Sequence, residues 1–281
     1  MFSQSAAQLF VPDRSDAEAA LRRTTHLGVG AHPDDLELMT WHGIAACYGS
    51  RERWFSGVIV TDGASSPRAG RYAAHSDEQM RIERWSEQKQ AARLGEYSAV
   101  AALGFQSSQI NAGPNRELVD DLVAVLQATT PEVVYAHNLF DAHDTHLAVA
   151  LHLIAALRTL SESERPKAVY GCEVWRSLDW LPDSDRCLLD VSSSEPLGTT
   201  LASVYESQIA GGKRYDLASV GRRRANATYA DPHGVDRMSA VEYAMDMTPL
   251  MDPSVDIQQH LVGILRKLSD GIAARLLRFS W

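Results

Sequence analysis

The stretch from His26 to Glu37, with the sequence HLGVGAHPDDLE, constrains this chain more than any other part of it. It begins with small and apolar residues, as expected of a buried strand, and then places His32, Asp34 and Asp35 within four positions. Three ionisable groups directly after a buried strand cost free energy unless they serve chemistry. His32 and Asp35 are ligand types that zinc accepts, so the stretch predicts one side of a metal site, with Asp34 as an additional carboxylate.

Predicted strands and amphipathic helices alternate along the chain of 281 residues. Apolar runs such as Val58–Val60 and Val133–Ala136 are typical of strands that are buried on both faces. Alternation of such strands with helices predicts an α/β fold, a Rossmann-like three-layer sandwich with a mainly parallel sheet. We expect one domain over residues 1–281, with a core at about 25–245 and a C-terminal helical extension at about 255–281.

A second polar cluster, HNLFDAHDTH, extends from His137 to His146, directly after another predicted strand. In open parallel sheets, sites form beyond the carboxyl ends of the strands, and both clusters fall at such ends. Together they supply three metal ligands, a further carboxylate and a further imidazole, which matches a catalytic zinc ion with three protein ligands and one open position. Each cluster alone also has a structural interpretation, since Asp34 and Asp35 can cap a helix.

Composition excludes several classes of function. The formal net charge is −9, so the chain has no basic excess to neutralise phosphates, and we do not expect nucleic acid as a partner. The three cysteines lie far apart without a C-x-x-C pair, which favours reduced thiols in a cytoplasmic protein. The pattern of a signal peptide is absent, and so is an apolar run long enough to span a membrane.

Two motifs carry a resemblance to a known family. Ala31–Glu37, with the sequence AHPDDLE, is similar to the A-H-P-D-D-x-E signature of the PIG-L/LmbE-like zinc-dependent N-deacetylases. His143–His146, with the sequence HDTH, resembles their second motif, H-P-D-H, with the middle pair changed. The resemblance implies the LmbE-like fold. Weaker similarities extend it over roughly residues 25–245, at Thr61–Gly63 (T-x-G), Arg84–Glu87 (R-x-x-E), Tyr205–Gln208 (Y-x-S-Q) and Val241–Tyr243 (A-E-x-F).

The resemblance also implies roles for individual residues. His32, Asp35 and His146 resemble the zinc ligands, Asp34 the general base, and His143 the imidazole that stabilises the oxyanion when it is protonated. The chemistry is consistent with these roles. Zinc lowers the pKa of water and polarises a carbonyl oxygen, and a carboxylate beside it can take a proton from that water.

Substrate contacts are predicted at two arginines. Arg84 takes the position of a substrate-contacting arginine of the family, although an ion pair with Glu87 on the same helix face is an equally good interpretation. Arg68 lies in the loop after the second predicted strand and could hold an anionic or hydroxyl-rich group. Asp144–Thr145 departs from the family's second motif, so Asp144 would orient a histidine from a shifted position.

The resemblance predicts a zinc-dependent hydrolase that removes an N-acetyl group from an amino sugar or a sugar-containing small molecule, with water activated at the metal attacking the amide. A related amidase that cleaves a larger acyl amide, such as a thiol conjugate, is one alternative. A metal-binding member without activity is another. A nucleotide-binding protein fits less well, because two carboxylates after the first strand would repel a pyrophosphate. The family's trimers and hexamers leave a homo-oligomer open.

Overall fold

A computed structural model describes residues 2–279. Within these residues, eight strands form one sheet: β1 (Gln8–Phe10), β2 (His26–Gly30), β3 (Phe55–Thr61), β4 (Ala99–Phe105), β5 (Val133–His137), β6 (Ala168–Cys172), β7 (Arg186–Asp190) and β8 (Val241–Asp246). The helices of the same residues are α1 (Ala17–Arg22), α2 (Asp35–Met39), α3 (Trp41–Cys47), α4 (Asp77–Leu94), α5 (Ser107–Asn111), α6 (Arg116–Thr129), α7 (Asp144–Thr159), α8 (Glu195–Ala202), α9 (Glu206–Ala210), α10 (Tyr215–Tyr229) and α11 (Ile257–Phe279).

The sheet has the strand order β1-β4-β3-β2-β5-β6-β8-β7. The five central strands from β4 to β6 are parallel, whereas β1, β8 and β7 pair with their neighbours in the antiparallel direction. Helices connect the parallel strands and cover both faces of the sheet, as is usual for parallel sheets. The prediction of an α/β sandwich with a mainly parallel sheet is therefore confirmed.

Alternating side chains of the buried strands supply separate apolar clusters on the two faces of the sheet. Val58 and Val60 of β3 contact one apolar cluster, which includes residues of α6 and α7, while Ile59 contacts the other, which includes residues of α3, α4 and α8. All seven residues of β3 are buried. The central strands are thus fixed from both sides, which holds the loops at their carboxyl ends in a defined position.

The first helix after β2 is interrupted. The apolar periodicity predicts one helix over residues 36–48, but α2 ends at Met39 and α3 begins at Trp41. Arg223 of α10 donates to the carbonyl oxygens of Glu37 and Leu38, at 3.2 and 3.3 Å. A guanidinium from a distant helix therefore takes carbonyl groups that a continuous helix would use.

α11 forms the predicted C-terminal extension, although residues 280 and 281 of that extension lie outside the described residues. Ile264 is its one buried residue within the described part of the chain, and Lys267 pairs with Asp185 at 2.6 Å. Among residues 2–279, no helix is both long enough and apolar enough to cross a bilayer.

Candidate metal centre

The two polar clusters meet where the chain order of the sheet reverses, between the adjacent parallel strands β2 and β5. The loops that leave these strands diverge to opposite sides, which opens a crevice. His32–Asp35 follows β2, and His143 and His146 lie at the start of α7. Gly30 permits the tight turn after β2, because a Cβ atom there would lie 2.9 Å from the Cβ atom of Asp35.

Three potential ligand groups form a triangle in this crevice, and each histidine faces a different oxygen of the Asp35 carboxylate. His32 Nδ1 lies 3.3 Å from Asp35 Oδ2 and 3.3 Å from His146 Nε2, and His146 Nε2 lies 3.4 Å from Asp35 Oδ1. A tetrahedral zinc ion with bonds of about 2.0–2.1 Å holds its ligand atoms about 3.3–3.4 Å apart. The spacing and the chemical types of these side chains therefore fit such an ion.

Asp34 lies beside the triangle in an unusual backbone conformation, with φ at 104°. This conformation is strained for any residue that has a Cβ atom, so the surrounding structure must hold Asp34 in place. The Asp34 side chain makes no cap hydrogen bond to α2. Its Oδ2 atom instead lies 3.1 Å from Arg84 Nη2. Asp34 therefore occupies the N-cap position of α2, but its side chain does not make the hydrogen bond that its interpretation as a helix cap predicts.

The two adjacent carboxyl groups have opposite pKa shifts. Burial raises the pKa of Asp34, and the neighbouring Arg84 guanidinium offsets only part of that rise. Burial acts on Asp35 as well, but His146 and His137 outweigh it and hold the pKa of Asp35 well below its usual range. Asp35 is thus suited to remain an anionic ligand, while Asp34 is suited to exchange a proton.

His146 has a carboxylate behind it. Its Nδ1 atom lies 3.6 Å from Asp141 Oδ2, on the side opposite the triangle. A carboxylate in that position orients a metal-binding histidine and selects its tautomer. Asp144 was the residue expected at this position, but it is exposed on the first turn of α7 and, among the described residues, forms no hydrogen bond or ion pair with either histidine. Asp141 therefore takes the position expected for Asp144.

His137 was not among the predicted site residues, although it lies next to them. Together with Asp141 and His146 it forms a second group of potential ligands. Its Nε2 atom accepts a hydrogen bond from the backbone of Ala31 at 3.0 Å, and its side chain is fully buried. His137 does not line the pocket that reaches the first triangle. We therefore interpret it as part of the support of the site.

His143 caps α7 and faces the triangle from above. Its Nδ1 atom accepts a hydrogen bond from the backbone of Thr145 at 3.2 Å, which leaves Nε2 as the proton-bearing nitrogen. Its ring centroid lies 4.5 Å from that of His146 and 5.1 Å from that of His32. Burial and these two neighbouring imidazoles lower the pKa of His143, so the neutral imidazole is favoured.

Arg84 belongs to a buried polar scaffold below Asp34. It is 1% exposed and donates from Nη2 to the carbonyl oxygen of Pro33 as well as to Asp34. Glu87, one turn later, is 3.8 Å from Arg84 and accepts two hydrogen bonds from Ser207, each of 2.7 Å. The late Y-x-S-Q stretch thus supports the helix that carries Arg84.

A pocket of about 460 Å³ opens above the triangle. Arg84 lines it, but the predicted contact Arg68 does not, because its guanidinium bonds to the carbonyl oxygen of Ala64 and to Asp77. The neighbouring residues Ser65–Pro67 line the pocket in its place. The remaining walls come from Leu38, Ser107, Asn111, Thr145, Val174, Trp175, Gln208, Lys213 and Tyr215.

Residues 27–157 match the model of the PIG-L family, described as GlcNAc-PI de-N-acetylase. No curated protein matches the chain in sequence. GalB, the 4-carboxy-2-hydroxymuconate hydratase of Pseudomonas putida KT2440, shares the fold with a TM-score of 0.65 and 17% identity, covering 83% of this chain and 98% of that one.

Two deacetylases share the fold as well. The N,N'-diacetylchitobiose deacetylase of Pyrococcus horikoshii superposes with a TM-score of 0.64 and 16% identity, over 83% of this chain and 88% of that one. Dbv21, the deacetylase of the A40926 pseudoaglycone, superposes with a TM-score of 0.58 and 15% identity, over 80% and 97%. At these identities the solved structures establish a common fold.

Proposed function

The chain belongs to the PIG-L family through residues 27–157, and on that premise we propose that it is a zinc-dependent N-deacetylase acting on an amino sugar or a sugar-containing small molecule. The observation that carries the proposal is the triangle of His32, Asp35 and His146 at tetrahedral spacing, with Asp34 beside it on the floor of an open pocket. A zinc-dependent amide hydrolase combines these components.

His32, Asp35 and His146 would hold the ion. When bound, zinc supplies a Lewis acid that polarises a carbonyl oxygen and makes water more acidic. Asp35 contributes the negative charge of the ligand set, since its pKa is lowered by His146 and His137 against the effect of burial. The Asp141 carboxylate, 3.6 Å from Nδ1 of His146, would favour the orientation that directs Nε2 toward the other two ligands.

Asp34 would act as the general base and acid. Its carboxylate takes a proton from the attacking water and later delivers it to the nitrogen of the leaving amine. A raised pKa suits this exchange, because it brings the carboxyl group closer to the working pH. Arg84 and the backbone of residues 33–34 hold the carboxylate in one orientation during both transfers.

His143 would stabilise the carbonyl oxygen as it gains negative charge. Because its Nδ1 accepts the Thr145 amide, the proton on Nε2 is free to point into the pocket. A hydrogen bond that strengthens in the transition state in this manner contributes about 3–4 kcal/mol in comparable acyl-transfer enzymes. In this proposal a neutral imidazole is the donor, in contrast to the protonated imidazole that the family resemblance implies.

The fold alone does not select the reaction, since one protein with this fold is a hydratase and two others are deacetylases. The family match and the ligand triangle favour hydrolysis of an amide. The deacetylase neighbours act on an acetylated disaccharide and on a pseudoaglycone, which supports a sugar-containing substrate.

The test combines metal analysis with amine release from N-acetylated amino sugars. We expect one zinc per chain, loss of turnover on chelation and recovery when zinc is added. Asp34→Asn should retain zinc and lose turnover, whereas His146→Ala should lose both. Asp144→Asn provides the matched control, because this exposed carboxylate lies on the same helix as His146 and, in the described part of the chain, forms no hydrogen bond or ion pair with either histidine.

Three outcomes would contradict the proposal or part of it. Zinc-loaded protein that releases no amine from acetylated sugars would exclude the deacetylase activity, and release from N-butyryl or longer amides alone would favour the amidase with a larger acyl group. An unchanged rate in Asp34→Asn would show that another group handles the proton.

A further inference from the structure

A buried network of polar side chains lies behind Asp34 and joins α2 to α4. Its members are at most 1% exposed and, in the described part of the chain, none of them lines the pocket above the triangle: Glu37, Gln88, Tyr97 and Tyr205. The Tyr97 hydroxyl donates to Oε1 of Glu37 at 2.6 Å, and the Tyr205 hydroxyl lies 2.5 Å from the other oxygen. The proposed reaction uses no group of this network, so the burial of these polar groups requires another purpose.

Gln88 connects this network to the backbone of Asp34. Its Nε2 atom donates to Oε1 of Glu37 at 2.9 Å, and its Oε1 atom accepts from the backbone N–H of Asp34 at 3.4 Å. The reversed amide would place its N–H groups against that backbone donor and its oxygen against the Glu37 carboxyl group, so one orientation satisfies both contacts. The Tyr205 hydroxyl, 3.0 Å from Oε1 of Gln88, adds a third contact to the same amide.

Gln88 and Arg84 hold opposite sides of one peptide group. They lie four residues apart on α4, and therefore on one face of that helix. Arg84 donates to the carbonyl oxygen of Pro33, and Gln88 accepts from the N–H of Asp34. These are the two polar groups of the peptide bond between residues 33 and 34. For that N–H, Gln88 is the one hydrogen-bond acceptor among residues 2–279, and a buried N–H without an acceptor is costly.

The plane of this peptide group determines the backbone conformation of Asp34. The angle φ describes rotation about the bond between the N and Cα atoms, and the peptide group on the N side of that bond is rigid and planar. A φ of 104° persists in a residue with a Cβ atom only where the surrounding structure holds it. Because the direction of the Cα–Cβ bond follows from φ, the contacts that fix the peptide group also fix the position of the Asp34 carboxylate.

We propose that Gln88 is a positioning residue for Asp34 and that Glu37 acts through Gln88; this rests on the proposed deacetylase function. Arg84 binds the Asp34 carboxylate and the carbonyl group of residue 33, but a guanidinium has no acceptor, so the N–H group is left to Gln88. Glu37 keeps the Gln88 amide in the orientation that presents its oxygen to this N–H. Without Gln88 the peptide group can rotate and the carboxylate moves away from the attacking water. A displacement of about 1 Å costs up to about 10²-fold in rate.

The test compares Gln88→Met with the unmodified protein in steady-state kinetics and zinc affinity, with N-acetylglucosamine and N,N'-diacetylchitobiose as probes. Methionine keeps the length of the side chain and lacks the amide. We expect kcat to fall about 10–100-fold, whereas KM and the zinc Kd change less than about threefold, because no pocket wall and no metal ligand is altered. Gln90→Met is the matched control, since Gln90 is exposed on the other side of the same helix, and it should leave all three quantities unchanged.

An exchange of the two interacting side chains separates positioning from packing. Gln88→Glu places a second carboxylate against Glu37, so we expect kcat to fall at least as far as in Gln88→Met. Adding Glu37→Gln restores an N–H···O bond between positions 37 and 88 and keeps an oxygen toward the Asp34 N–H, so kcat should recover about tenfold. This comparison decides the inference if Gln88→Met does not fold.

Three results would overturn the inference and leave the deacetylase function standing. The first is a kcat of Gln88→Met within about threefold of that of the unmodified protein. The second is a lack of recovery in the exchanged pair. The third is a rise in KM or in the zinc Kd as large as the fall in kcat, because the whole site would then be disturbed.

Crystal structures of the same variants separate the two proposals. If the zinc-loaded unmodified protein hydrolyses neither probe, the deacetylase function fails, and the conformation of Asp34 alone decides whether Gln88 holds it. A negative φ of Asp34 in Gln88→Met, with the positive angle restored in the exchanged pair, would support the inference. A φ that stays near 104° in Gln88→Met would refute it.

Discussion

Replacing Arg84 by methionine gives the sharpest test of how the site is held. The guanidinium is 1% exposed, and its Nη2 atom lies 3.1 Å from Asp34 Oδ2. At an effective dielectric constant of about 20, unit charges at that distance attract by about 5 kcal/mol. Removal of one partner from a buried ion pair costs about 3–5 kcal/mol, because the other charge is left without compensation. We therefore expect Arg84→Met to lower the free energy of unfolding by about 3–5 kcal/mol.

The loss of unfolding free energy in Arg84→Met should depend on the charge of Asp34. In the background of Asp34→Asn, Arg84→Met leaves only Glu87 uncompensated, at the longer distance of 3.8 Å. We expect the cost of Arg84→Met to be about 2 kcal/mol smaller in that background. Without Arg84, the folded-state pKa of Asp34 lies still farther above its unfolded value. Stability is then lost as the pH rises through that folded pKa, so the penalty should be larger at pH 8 than at pH 5.5.

The assay is urea unfolding of the four proteins in the presence of a chelator, followed by circular dichroism at both pH values. Arg81→Met is the matched control, because Arg81 lies one turn earlier on α4 and pairs with Glu78 near the surface; such a pair is worth about 0–1 kcal/mol. If Arg84→Met lowers the free energy of unfolding by less than Arg81→Met does, the reasoning is refuted. A stable Arg84→Met variant with a raised KM would instead identify Arg84 as a substrate contact.

Three further predictions concern residues around the site and the core. Asp141→Asn should weaken zinc binding about 10–100-fold, measured by competition with a chelator, because His146 loses the carboxylate that orients it; unchanged affinity would contradict this. Burial lowers the pKa of His26 to about 4, so between pH 7.5 and 5.5 the unfolded chain binds a proton that the folded protein does not. Acidification over this range should therefore lower the free energy of unfolding in urea by about 1.4 kcal/mol. His26→Gln should remove that part of the pH dependence, and an equal loss of stability in the variant and the unmodified protein would exclude it. Gly43→Ala should lower the free energy of unfolding by about 1–3 kcal/mol by overpacking, since a Cβ atom there would lie 2.5 Å from the Tyr135 ring; thermal denaturation no different from that of the unmodified protein would show that the ring can move.

The fold was predictable where local pattern and tertiary environment agree. β3 is buried on both faces, so its apolar run identifies it, and Ser76 and Gln79 form at the start of α4 the capping box that their spacing indicates. β8 and α10 were not predicted. Glu242 in β8 interrupts the apolar pattern of that strand, and its buried partner Arg223 lies on α10, so only the folded structure shows why both charges are tolerated.

The candidate site was predictable to the extent that its residues lie in short motifs at strand ends. The two motifs placed His32, Asp35 and His146 in separate segments, and the strand order explains why they meet. Asp141 was missed because its contact with His146 depends on the path of the loop before α7, which spacing does not reveal. Asp144 takes the motif position but is exposed at the first residue of α7, so it was the wrong choice of partner for His146.

The pairing of β2 with β5 has a consequence for the production of this protein. His26 pairs with Val133, so strands that are distant in the chain must associate before the ligand triangle exists. An unfolded chain then offers at most isolated ligands, and an ion that binds only the native state at a free concentration of one hundred times its Kd adds about 2.7 kcal/mol to the free energy of unfolding. Under the proposed zinc dependence, the metal supply of the growth medium therefore governs the yield of folded protein as well as its specific activity.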